Sequence, residues 1–360
     1  MIGNARKVFV ALSGGVDSSA AAVLLCQGGF DCAGVFMITS PALPKGGTSG
    51  QATDGQGDAE RIAEKLGIRL YVLDLRGDFE RILDYFCSEY KKGRTPNPCA
   101  ICNRYIKFGK LWDFARGNGA EFFATGHYAR IIEANRNVGL YEAADGAKDQ
   151  SYALAMIKRD VLGHIIFPMG EHSKETARET AAKFGLELEQ KKESQEICFI
   201  PDDDYVSVLE EKCPELVCKG DIIDSNGRVL GEHKGVHRFT IGQRRGLRVA
   251  MGSRYYVARI DAETNTVTLG PKEEVMHRKL SATGVNWLAD KPQSAFRAKV
   301  KIRYNDKGAS AMVSPQDDGA FVEFDEPVSA ITPGQLAVFY IQNEFGGRVV
   351  GGGWIDKISD

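Results

Sequence analysis

The residues with the clearest chemical potential are cysteines in two short segments. Cys99 and Cys102 stand within Thr95–Asn103, which reads TPNPCAICN, and Cys198 stands within Ser194–Ile200, which reads SQEICFI. A cysteine attacks sulfur or carbon as its thiolate, and helix N-termini and cationic neighbours favour that form. The two segments are therefore candidates for thiolate chemistry.

Cys102 is expected near the start of a helix. Pro96 and Pro98 around Asn97 favour an extended loop, after which a helix is predicted over Cys102–Ala115. The helix N-terminus and nearby positive charge both favour a thiolate at Cys102. The nearby positive side chains are Arg94, Arg104 and Lys107.

The remaining cysteines carry simpler interpretations. Three of them fall on apolar faces and are expected in the core: Cys26, Cys32 and Cys87. The Cys99-x-x-Cys102 spacing is also that of half a zinc site, but a matching second pair is missing from the sequence. Cys213 and Cys218 are spaced differently and are interpreted as residues without a chemical role.

A second chemical feature is the loop Ser13–Ser18, which reads SGGVDS and joins a buried strand to a helix. Glycines let backbone amides turn towards an anion, and a helix N-terminus adds positive potential. The hydroxyls of Ser13 and Ser18 can donate to phosphate oxygens, and Asp17 can contact a magnesium ion. The loop lacks the lysine of the G-x-x-x-x-G-K-[ST] motif, so it predicts a phosphate site of another kind.

Strand-like and helical patterns alternate along the first part of the chain. Strands are predicted over residues 7–12, 32–38, 70–75 and 121–125, and helices over 18–26, 58–66, 78–90, 102–115, 151–157 and 173–184. This alternation is typical of an α/β, doubly wound parallel sheet. Pro41–Gly57 is rich in Gly, Ser and Thr and is predicted to be a mobile surface loop.

Beyond about Pro214 the pattern changes to short alternating strands. They are predicted over residues 254–260, 266–269, 298–304, 320–324 and 336–341. Two small β-rich modules that meet near Arg278 fit this pattern better than one. The predicted domains are a catalytic domain over residues 1–210, a central β-rich domain over 211–277 and a β-barrel-like domain over 278–360.

Composition limits where the protein acts and what it binds. The 360 residues carry a net charge of −2, and 43% are hydrophobic, which is ordinary for a globular chain. The sequence predicts neither a membrane span nor a secretory signal, and eight cysteines without a signal favour a reducing compartment, the cytoplasm. Lys91–Lys110 and Lys219–Arg259 are basic, which fits either solvated surface or a polyanion partner.

The loop Ser13–Ser18 resembles the signature of the PP-loop ATP pyrophosphatases, which cleave ATP between the α and β phosphates and adenylate a carbonyl oxygen. The loop alone does not choose among the members. Both cysteine segments resemble those of the tRNA-specific 2-thiouridylases, and other similar segments follow in order. They are Gly34–Met37, Ala124–Tyr128, Lys148–Tyr152, Thr240–Leu247, Arg303–Tyr304 and Pro333–Gln335.

The resemblance implies a set of site residues. It implies ATP binding by Ala11, Leu12, Ser13, Gly14, Gly15, Val16, Asp17, Ser18, Met37 and Gly126. It implies contact with the target base by Asn97, Pro98 and Cys99, and with tRNA by His127, Lys148, Asp149, Gln150, Arg303, Tyr304 and Gln335. Cys198 would carry a persulfide, Cys102 would be the partner nucleophile, and the two would end as a disulfide. The family often has aspartate where this chain has Cys99, which leaves the role of Cys99 open.

The implied reaction uses ATP and Mg²⁺ to adenylate the C2 oxygen of wobble uridine 34. Sulfur from the Cys198 persulfide then replaces that oxygen, and AMP and pyrophosphate are released. Cys102 either releases hydrosulfide from the persulfide or resolves it after direct transfer. The implied partners are tRNAs for Lys, Glu and Gln and a persulfide donor, which is a cysteine desulfurase or a relay protein.

Three rival interpretations make different demands on the sequence. A glutamine-dependent PP-loop synthetase needs an amidotransferase domain, for which the chain has no segment. A non-catalytic RNA-binding protein with a vestigial ATP loop would not need its full set of reactive residues, which are Ser13, Asp17, Cys102 and Cys198. A tRNA methyltransferase is expected to carry a G-x-G-x-x-G motif after a strand, which the sequence lacks.

Overall fold

The computed structural model describes residues 5–39, 50–135, 137–185, 197–200, 204–247, 249 and 254–359. The chain divides into two compact units, each built from separate stretches of sequence. The first unit comprises Met1–Arg81, Cys99–Gln195 and Gln342–Val350, and the second comprises Ile82–Pro98, Glu196–Ile341 and Gly351–Asp360. The domain boundaries drawn from the sequence stay predictions.

Seven strands belong to the first part of the chain. They are β1 (Lys7–Ala11), β2 (Asp31–Ile38), β3 (Arg69–Asp74), β4 (Phe122–Ala124), β5 (Arg130–Ala134), β6 (Asn137–Tyr141) and β7 (Ile165–Ile166). Five of them form a parallel sheet in the order β3-β2-β1-β4-β7. The predicted doubly wound α/β fold is therefore confirmed. The strand order reverses between β1 and β4, so the carboxyl ends of these two strands flank the crevice where such sheets bind ligands.

The helices largely follow the predicted pattern. They are α1 (Val16–Gln27), α2 (Gly50–Leu66), α3 (Arg76–Lys91), α4 (Pro98–Cys102), a π-helix (Asn103–Leu111), α5 (Trp112–Gly117), α6 (Ser151–Leu154), α7 (Lys174–Lys183) and α8 (Tyr205–Lys212). Most of helix α1 is buried, and Ser19, Ala20 and Val23 have no exposed surface. Its small residues let it lie close to the sheet and to α7.

The predicted loop over Pro41–Gly57 is wrong in its last part, because α2 begins at Gly50. Residues 40–49 lie outside the described residues. The run of glycine and polar residues resembled a loop. Gly55 nevertheless lies in helix α2, because its lack of a side chain allows close packing there. A Cβ at Gly55 would lie 3.3 Å from the carbonyl oxygen of Ser13 and 3.7 Å from the Phe36 ring. The glycine therefore lets α2 approach the end of β1 closely.

The hairpin of β5 and β6 was missed by the sequence interpretation. Its strands pair from Arg130 with Tyr141 to Ala134 with Asn137. Residues late in the chain extend it, since Arg348 pairs with Tyr141 and Val349 with Leu140. Each hairpin strand is only five residues long, and β5 reads RIIEA, which does not alternate strictly between apolar and polar residues, so the local pattern did not indicate a strand.

The second unit carries most of the β-rich part. The remaining strands are β8 (Gly220–Asp224), β9 (Val229–His233), β10 (Tyr256–Asp261), β11 (Thr266–Gly270), β12 (Met276–Trp287), β13 (Phe296–Lys301), β14 (Ala309–Pro315), β15 (Gly319–Ser329), β16 (Leu336–Asn343) and β17 (Gly346–Ser359). The end of β16 and the start of β17 lie in Gln342–Val350, which belongs to the first unit. Four form a small sheet in the order β10-β11-β8-β9. Strand β12 pairs with both β15 and β17, which gives the later strands a barrel-like arrangement. Within the described ranges, no helix is both long and apolar enough to cross a membrane.

Phe86 is a critical core residue of the second unit. Its side chain is 1% exposed and meets the rings of Tyr90 at 5.1 Å and Phe199 at 5.6 Å between centroids. We expect Phe86→Ala to lower the free energy of unfolding by about 3–5 kcal/mol, because it removes buried apolar surface and leaves a cavity. Urea denaturation measures this. The control Val229→Ala, at a side chain 57% exposed, should change it by about 0.5 kcal/mol or less; equal losses would contradict the packing described.

Candidate functional site

The loop Ser13–Ser18 is organised by its own hydroxyl groups. The amide of Ser13 donates to Ser18 Oγ at 3.2 Å, and the two serine hydroxyls lie 3.1 Å apart. Ser18 Oγ donates to the carbonyl oxygen of Gly15 at 3.0 Å, and Ser19 Oγ donates to the same oxygen at 2.8 Å. The loop is thus held in shape at the N-terminus of α1, where amides and the helix dipole favour an anion.

Gly14 is fixed by both conformation and space. Its φ is +75°, a value that residues with a side chain rarely adopt. A Cβ there would lie 2.5 Å from the carbonyl oxygen of Gly55 and 2.9 Å from Asp58 Cβ. The backbone of the loop therefore runs directly against α2, and any side chain at this position would push the two apart.

Asp17 is held by two residues that the sequence interpretation did not identify. Tyr128 donates its hydroxyl to Asp17 Oδ1 at 2.6 Å. Lys174 Nζ lies 2.7 Å from each of the two carboxylate oxygens. The carboxylate is fixed at the mouth of the loop, beside the predicted phosphate site. Contact of Asp17 with magnesium stays a prediction, and the fixed carboxylate suits a hard cation that prefers oxygen ligands.

Gly126 lies against the first turn of α1. A Cβ at this position would come within 2.6 Å of both the Asp17 carbonyl carbon and the Ser18 amide nitrogen. Gly126 follows β4, so the loops after β1 and β4 meet at the reversal point of the sheet. Met37 is half-buried near the carboxyl end of β2, one strand away. The structure thus brings the predicted ATP-binding residues to one edge of the sheet.

His127 is a neutral imidazole bound between two polar groups. Burial lowers its pKa well below the usual range, and the Lys107 ammonium adds to the effect. Lys107 Nζ lies 3.3 Å from His127 Nε2 and can only donate, so Nε2 accepts. The proton therefore sits on Nδ1, which donates to Thr125 Oγ1 at 2.6 Å. Contact of His127 with tRNA stays a prediction.

Gln150 and Asp149 support the same region from the following loop. Gln150 accepts from the Tyr128 amide through Oε1 at 2.9 Å, and its own amide donates to the Tyr128 carbonyl at 2.8 Å. Asp149 is buried and accepts from the amides of Ala143 and Ser151, each at 3.1 Å. The two Gln150 bonds position Tyr128, which in turn donates to Asp17, while the Asp149 bonds fix the chain before α6. The predicted tRNA contacts of Lys148, Asp149 and Gln150 are untested.

The helix that contains Cys102 begins earlier than predicted. Helix α4 starts at Pro98, a residue well suited to a first helical position, and continues as the π-helix from Asn103. The expectation that Cys102 lies at the helix start is therefore wrong: Cys99 occupies the first turn and Cys102 follows one turn later. Cys102 is buried, whereas Cys99 is half-buried.

Asn103 is a third residue that the sequence interpretation did not identify, after Tyr128 and Lys174. It is 2% exposed, and its Nδ2 donates to the Ala153 carbonyl at 2.9 Å. A π-helix is rare and is frequently found at functional sites. The buried Asn103 side chain thus fixes the backbone at the point directly after Cys102 where the helix changes type.

In the second unit, the stretch Arg94–Pro96 is held by hydrogen bonds and an ion pair to residues near the end of the chain. Gln335 Nε2 donates to the carbonyls of Thr95 at 3.2 Å and Pro96 at 3.0 Å, and the Thr95 amide donates to the Pro333 carbonyl at 2.9 Å. Arg94 bonds to Asp356 at 3.0 Å and to Glu89 at 2.8 Å. Gln335, which was predicted to contact tRNA, thus fixes the backbone at Thr95 and Pro96. Its contact with tRNA stays a prediction.

Cys198 lies on a short turn in the second unit. The Ile200 amide donates to the Ile197 carbonyl at 2.9 Å, while Ile197, Phe199 and Ile200 pack into the cluster around Phe86. Cys198 itself is exposed. Its neighbours anchor the turn and leave Cys198 at the surface, and its role as the sulfur carrier stays a prediction. Cys102 and Cys198 belong to different units, so their pairing stays a prediction.

The other cysteines differ in their degree of burial. Cys87 is buried as expected, beside Cys213 in the same apolar cluster, and burial raises the pKa of the Cys87 thiol to about 12. Cys26 and Cys32 are half-buried rather than fully in the core, because they lie where α1 ends and β2 begins. Cys218 is exposed.

The basic run Lys91–Lys110 is largely neutralised by acids elsewhere in sequence. Lys91 pairs with Glu215 at 2.6 Å, and Lys110 pairs with Asp78. Arg94 pairs with Asp356, as described above. In contrast, Arg244, Arg245, Arg303 and Tyr304 are exposed. Exposure leaves these four side chains accessible to a polyanion, whereas the first run is committed mainly to ion pairs.

Gly126 provides a test of the site. We expect Gly126→Ala to weaken binding of ATP by at least about tenfold, because the new Cβ would displace the backbone at Asp17 and Ser18. Isothermal titration calorimetry measures the affinity. Gly117→Ala is the control, since a Cβ there meets nothing within 4 Å. Unchanged affinity in Gly126→Ala would contradict the placement of the phosphate site.

Family models match three consecutive stretches of the chain. A tRNA methyl transferase HUP domain model matches residues 6–202, and a tRNA methyl transferase PRC-barrel domain model matches residues 207–271. An aminomethyltransferase beta-barrel domain model matches residues 277–355. A solved 4-thiouridine synthetase–RNA complex with bound ATP is 19% identical, covers 58% of this chain and 51% of its own, and has a TM-score of 0.37.

Curated relatives match over nearly the full length. A tRNA-specific 2-thiouridylase of Carboxydothermus hydrogenoformans is 45% identical, covering 98% of this chain and 98% of the relative. One of Syntrophotalea carbinolica is 44% identical over 97% of this chain and 98% of the relative. One of Clostridium acetobutylicum is 42% identical over 97% and 99%. Identity at this level over this length shows that the chain belongs to the tRNA-specific 2-thiouridylase family.

Proposed function

We propose that this chain is an ATP-dependent tRNA-uridine 2-sulfurtransferase that makes 2-thiouridine at wobble position 34. The observation that carries the proposal is the loop Ser13–Ser18, placed at the reversal point of a parallel sheet with Gly126 against its helix. Membership of the 2-thiouridylase family supports the choice of substrate and reaction. The protein would act in the cytoplasm, where its thiols stay reduced.

ATP solves a specific chemical problem in this reaction. The C2 carbonyl of uracil is a poor electrophile, and its oxygen is a poor leaving group. Transfer of the AMP group to that oxygen releases pyrophosphate and turns the oxygen into part of a good leaving group, AMP. The amides at the start of α1 and the hydroxyls of Ser13 and Ser18 would hold the phosphates, and Asp17 would hold Mg²⁺, which screens their charge.

The two cysteines would divide the sulfur chemistry. A donor protein, a cysteine desulfurase or a relay protein, loads the exposed Cys198 with a terminal sulfur as a persulfide. That sulfur attacks C2 and displaces AMP, either directly or after Cys102 has released it as hydrosulfide. Both routes form a Cys102–Cys198 disulfide, which a thiol reductant must reduce before the next cycle.

The RNA substrate would meet the protein on two kinds of surface. Asn97, Pro98 and Cys99 would surround the uracil, which must leave the anticodon stack to reach them. The residues His127, Lys148, Asp149, Gln150, Arg303, Tyr304 and Gln335 would contact the rest of the tRNA. By family resemblance, the tRNAs would be those for Lys, Glu and Gln.

Mass spectrometry of tRNA from cells lacking this gene should show no 2-thiouridine; an unchanged level would reject the proposal.

The rival function is methyl transfer, since two of the matching domain families are described as tRNA methyl transferase domains. The sequence has no G-x-G-x-x-G motif after a strand, and methyl transfer from a sulfonium donor needs no phosphate loop. Binding of ATP and release of AMP during tRNA modification would separate the two functions. Methylated uridine without AMP release would favour the rival.

The cysteines give a second test. Cys102→Ser and Cys198→Ser should each abolish 2-thiouridine formation, because one thiol carries sulfur and the other completes its release. Cys99→Asp should retain substantial activity, since related enzymes often carry aspartate there. Mass spectrometry of digested tRNA measures the product, and Cys218→Ser is the control at an exposed cysteine. Activity in Cys102→Ser with loss in Cys99→Asp would make Cys99 the working residue, which its place in the first helical turn allows.

Exposed arginines give a third test. Binding of tRNA should weaken by about 0.7–0.9 log units per phosphate contact for each tenfold rise in salt. Arg244→Ala or Arg303→Ala should make that slope shallower by about one contact, measured by filter binding from low to high salt. Arg116→Ala, an exposed residue paired with Asp113 at 3.3 Å, is the control. A salt-independent affinity would contradict phosphate-driven binding.

A further inference from the structure

The phosphate loop lacks a cation of its own, because no lysine follows its glycines. Other phosphate loops place a lysine there to reach the β and γ phosphates. The triphosphate of ATP carries several negative charges, and helix amides neutralise only part of them. A positive side chain from elsewhere in the fold would complete the site.

Lys174 supplies such a charge from a distant part of the chain. Its Nζ lies 2.7 Å from each oxygen of Asp17, the residue at the mouth of the loop. The Lys174 side chain is 15% exposed, so its charge is held at the protein surface rather than extended into solvent. An ammonium has three N–H donors, and Asp17 takes two of them.

The packing of α7 explains why Lys174 reaches the loop. Ser173 caps the helix by accepting from the Thr176 amide at 3.2 Å, which fixes the helix start directly before Lys174. Ala177 and Ala181 are buried, and Ala177 packs with Ala20 and Ala21 of α1. Small residues at this contact bring the two helices close, so the first turns of α1 and α7 share one ion pair.

We propose that Lys174 is the phosphate-binding cation of this site, in the role that the loop's own sequence leaves unfilled. The proposal rests on the proposed function, since it requires a nucleotide at the loop. Without nucleotide, Lys174 balances the charge of Asp17. With nucleotide, Asp17 turns to the metal ion that accompanies ATP, and Lys174 donates to an oxygen of the triphosphate.

The alternative is that Lys174 only holds Asp17 in place. The two roles separate in a double-mutant experiment with the full chain, which measures binding of α,β-methylene-ATP in the presence of Mg²⁺ by calorimetry. Lys174→Met should weaken binding at least tenfold. Lys174→Arg keeps the charge and should weaken binding less than Lys174→Met does. Lys183→Met, at an exposed lysine of the same helix, should not change the affinity.

The decisive comparison uses an Asp17→Asn background. If Lys174 contacts phosphate, adding Lys174→Met to Asp17→Asn should weaken binding at least fivefold further. If the second change has no added effect, Lys174 acts only through Asp17 and the proposal is rejected. Adenosine, which has no phosphate, should bind equally to the unaltered chain and to Lys174→Met; an equal loss for adenosine would indicate a misfolded site and also reject the proposal.

Failure of this proposal is distinguishable from failure of the proposed function. If the unaltered chain does not bind the ATP analogue, both are rejected. If it binds and Lys174→Met binds equally well, only the role of Lys174 is rejected. Thermal unfolding of each variant, compared with that of the unaltered chain, verifies that the affinities refer to folded protein.

Discussion

The site depends on the close approach of backbones at two glycines. Gly14 runs against α2, and Gly126 runs against the first turn of α1, with distances that leave no room for a Cβ at either position. These contacts fix the start of α1, and the start of α1 fixes the amides and hydroxyls that would hold phosphate. Gly55 completes the arrangement from the opposite side, since it lets α2 lie beside Ser13. The proposed anion site therefore depends on the absence of side chains at these glycines as much as on the side chains of the loop.

Charge compensation at the site comes from residues far away in sequence. Asp17 is neutralised by Lys174, and Lys107 is placed beside a neutral His127. A low pKa for His127 has a physical benefit here, because a second positive charge next to Lys107 would be unfavourable in a buried position. The imidazole instead acts as an acceptor for Lys107 and a donor for Thr125, and so it links the π-helix to the loop after β4.

The sequence predicted the fold better than it predicted the details of the site. The strand and helix periods indicated a parallel α/β sheet and later β modules, and Ser13–Ser18 indicated the phosphate loop, because these signals are local. Lys174 and Tyr128 could not be identified as partners of Asp17, since their contacts depend on how α7 and the loop after β4 pack. The helix start at Pro98 was missed for a local reason: Pro96 and Pro98 were both interpreted as loop residues, although proline is well tolerated at a first helical position.

That helix start changes the physical argument about the two cysteines. Helix dipole stabilisation of a thiolate falls off within the first turn, so it favours Cys99 more than the buried Cys102. The proposed role of Cys102 as the nucleophile must then rest on its surroundings, where the chain turns into a π-helix and Asn103 donates to the Ala153 carbonyl. On the other side of Pro98, Gln335 and Arg94 hold the stretch before the helix through the carbonyls and carboxylates of the second unit. The C-terminal strands therefore hold the stretch that leads into Pro98, and Gln335 has this structural role whether or not it contacts RNA.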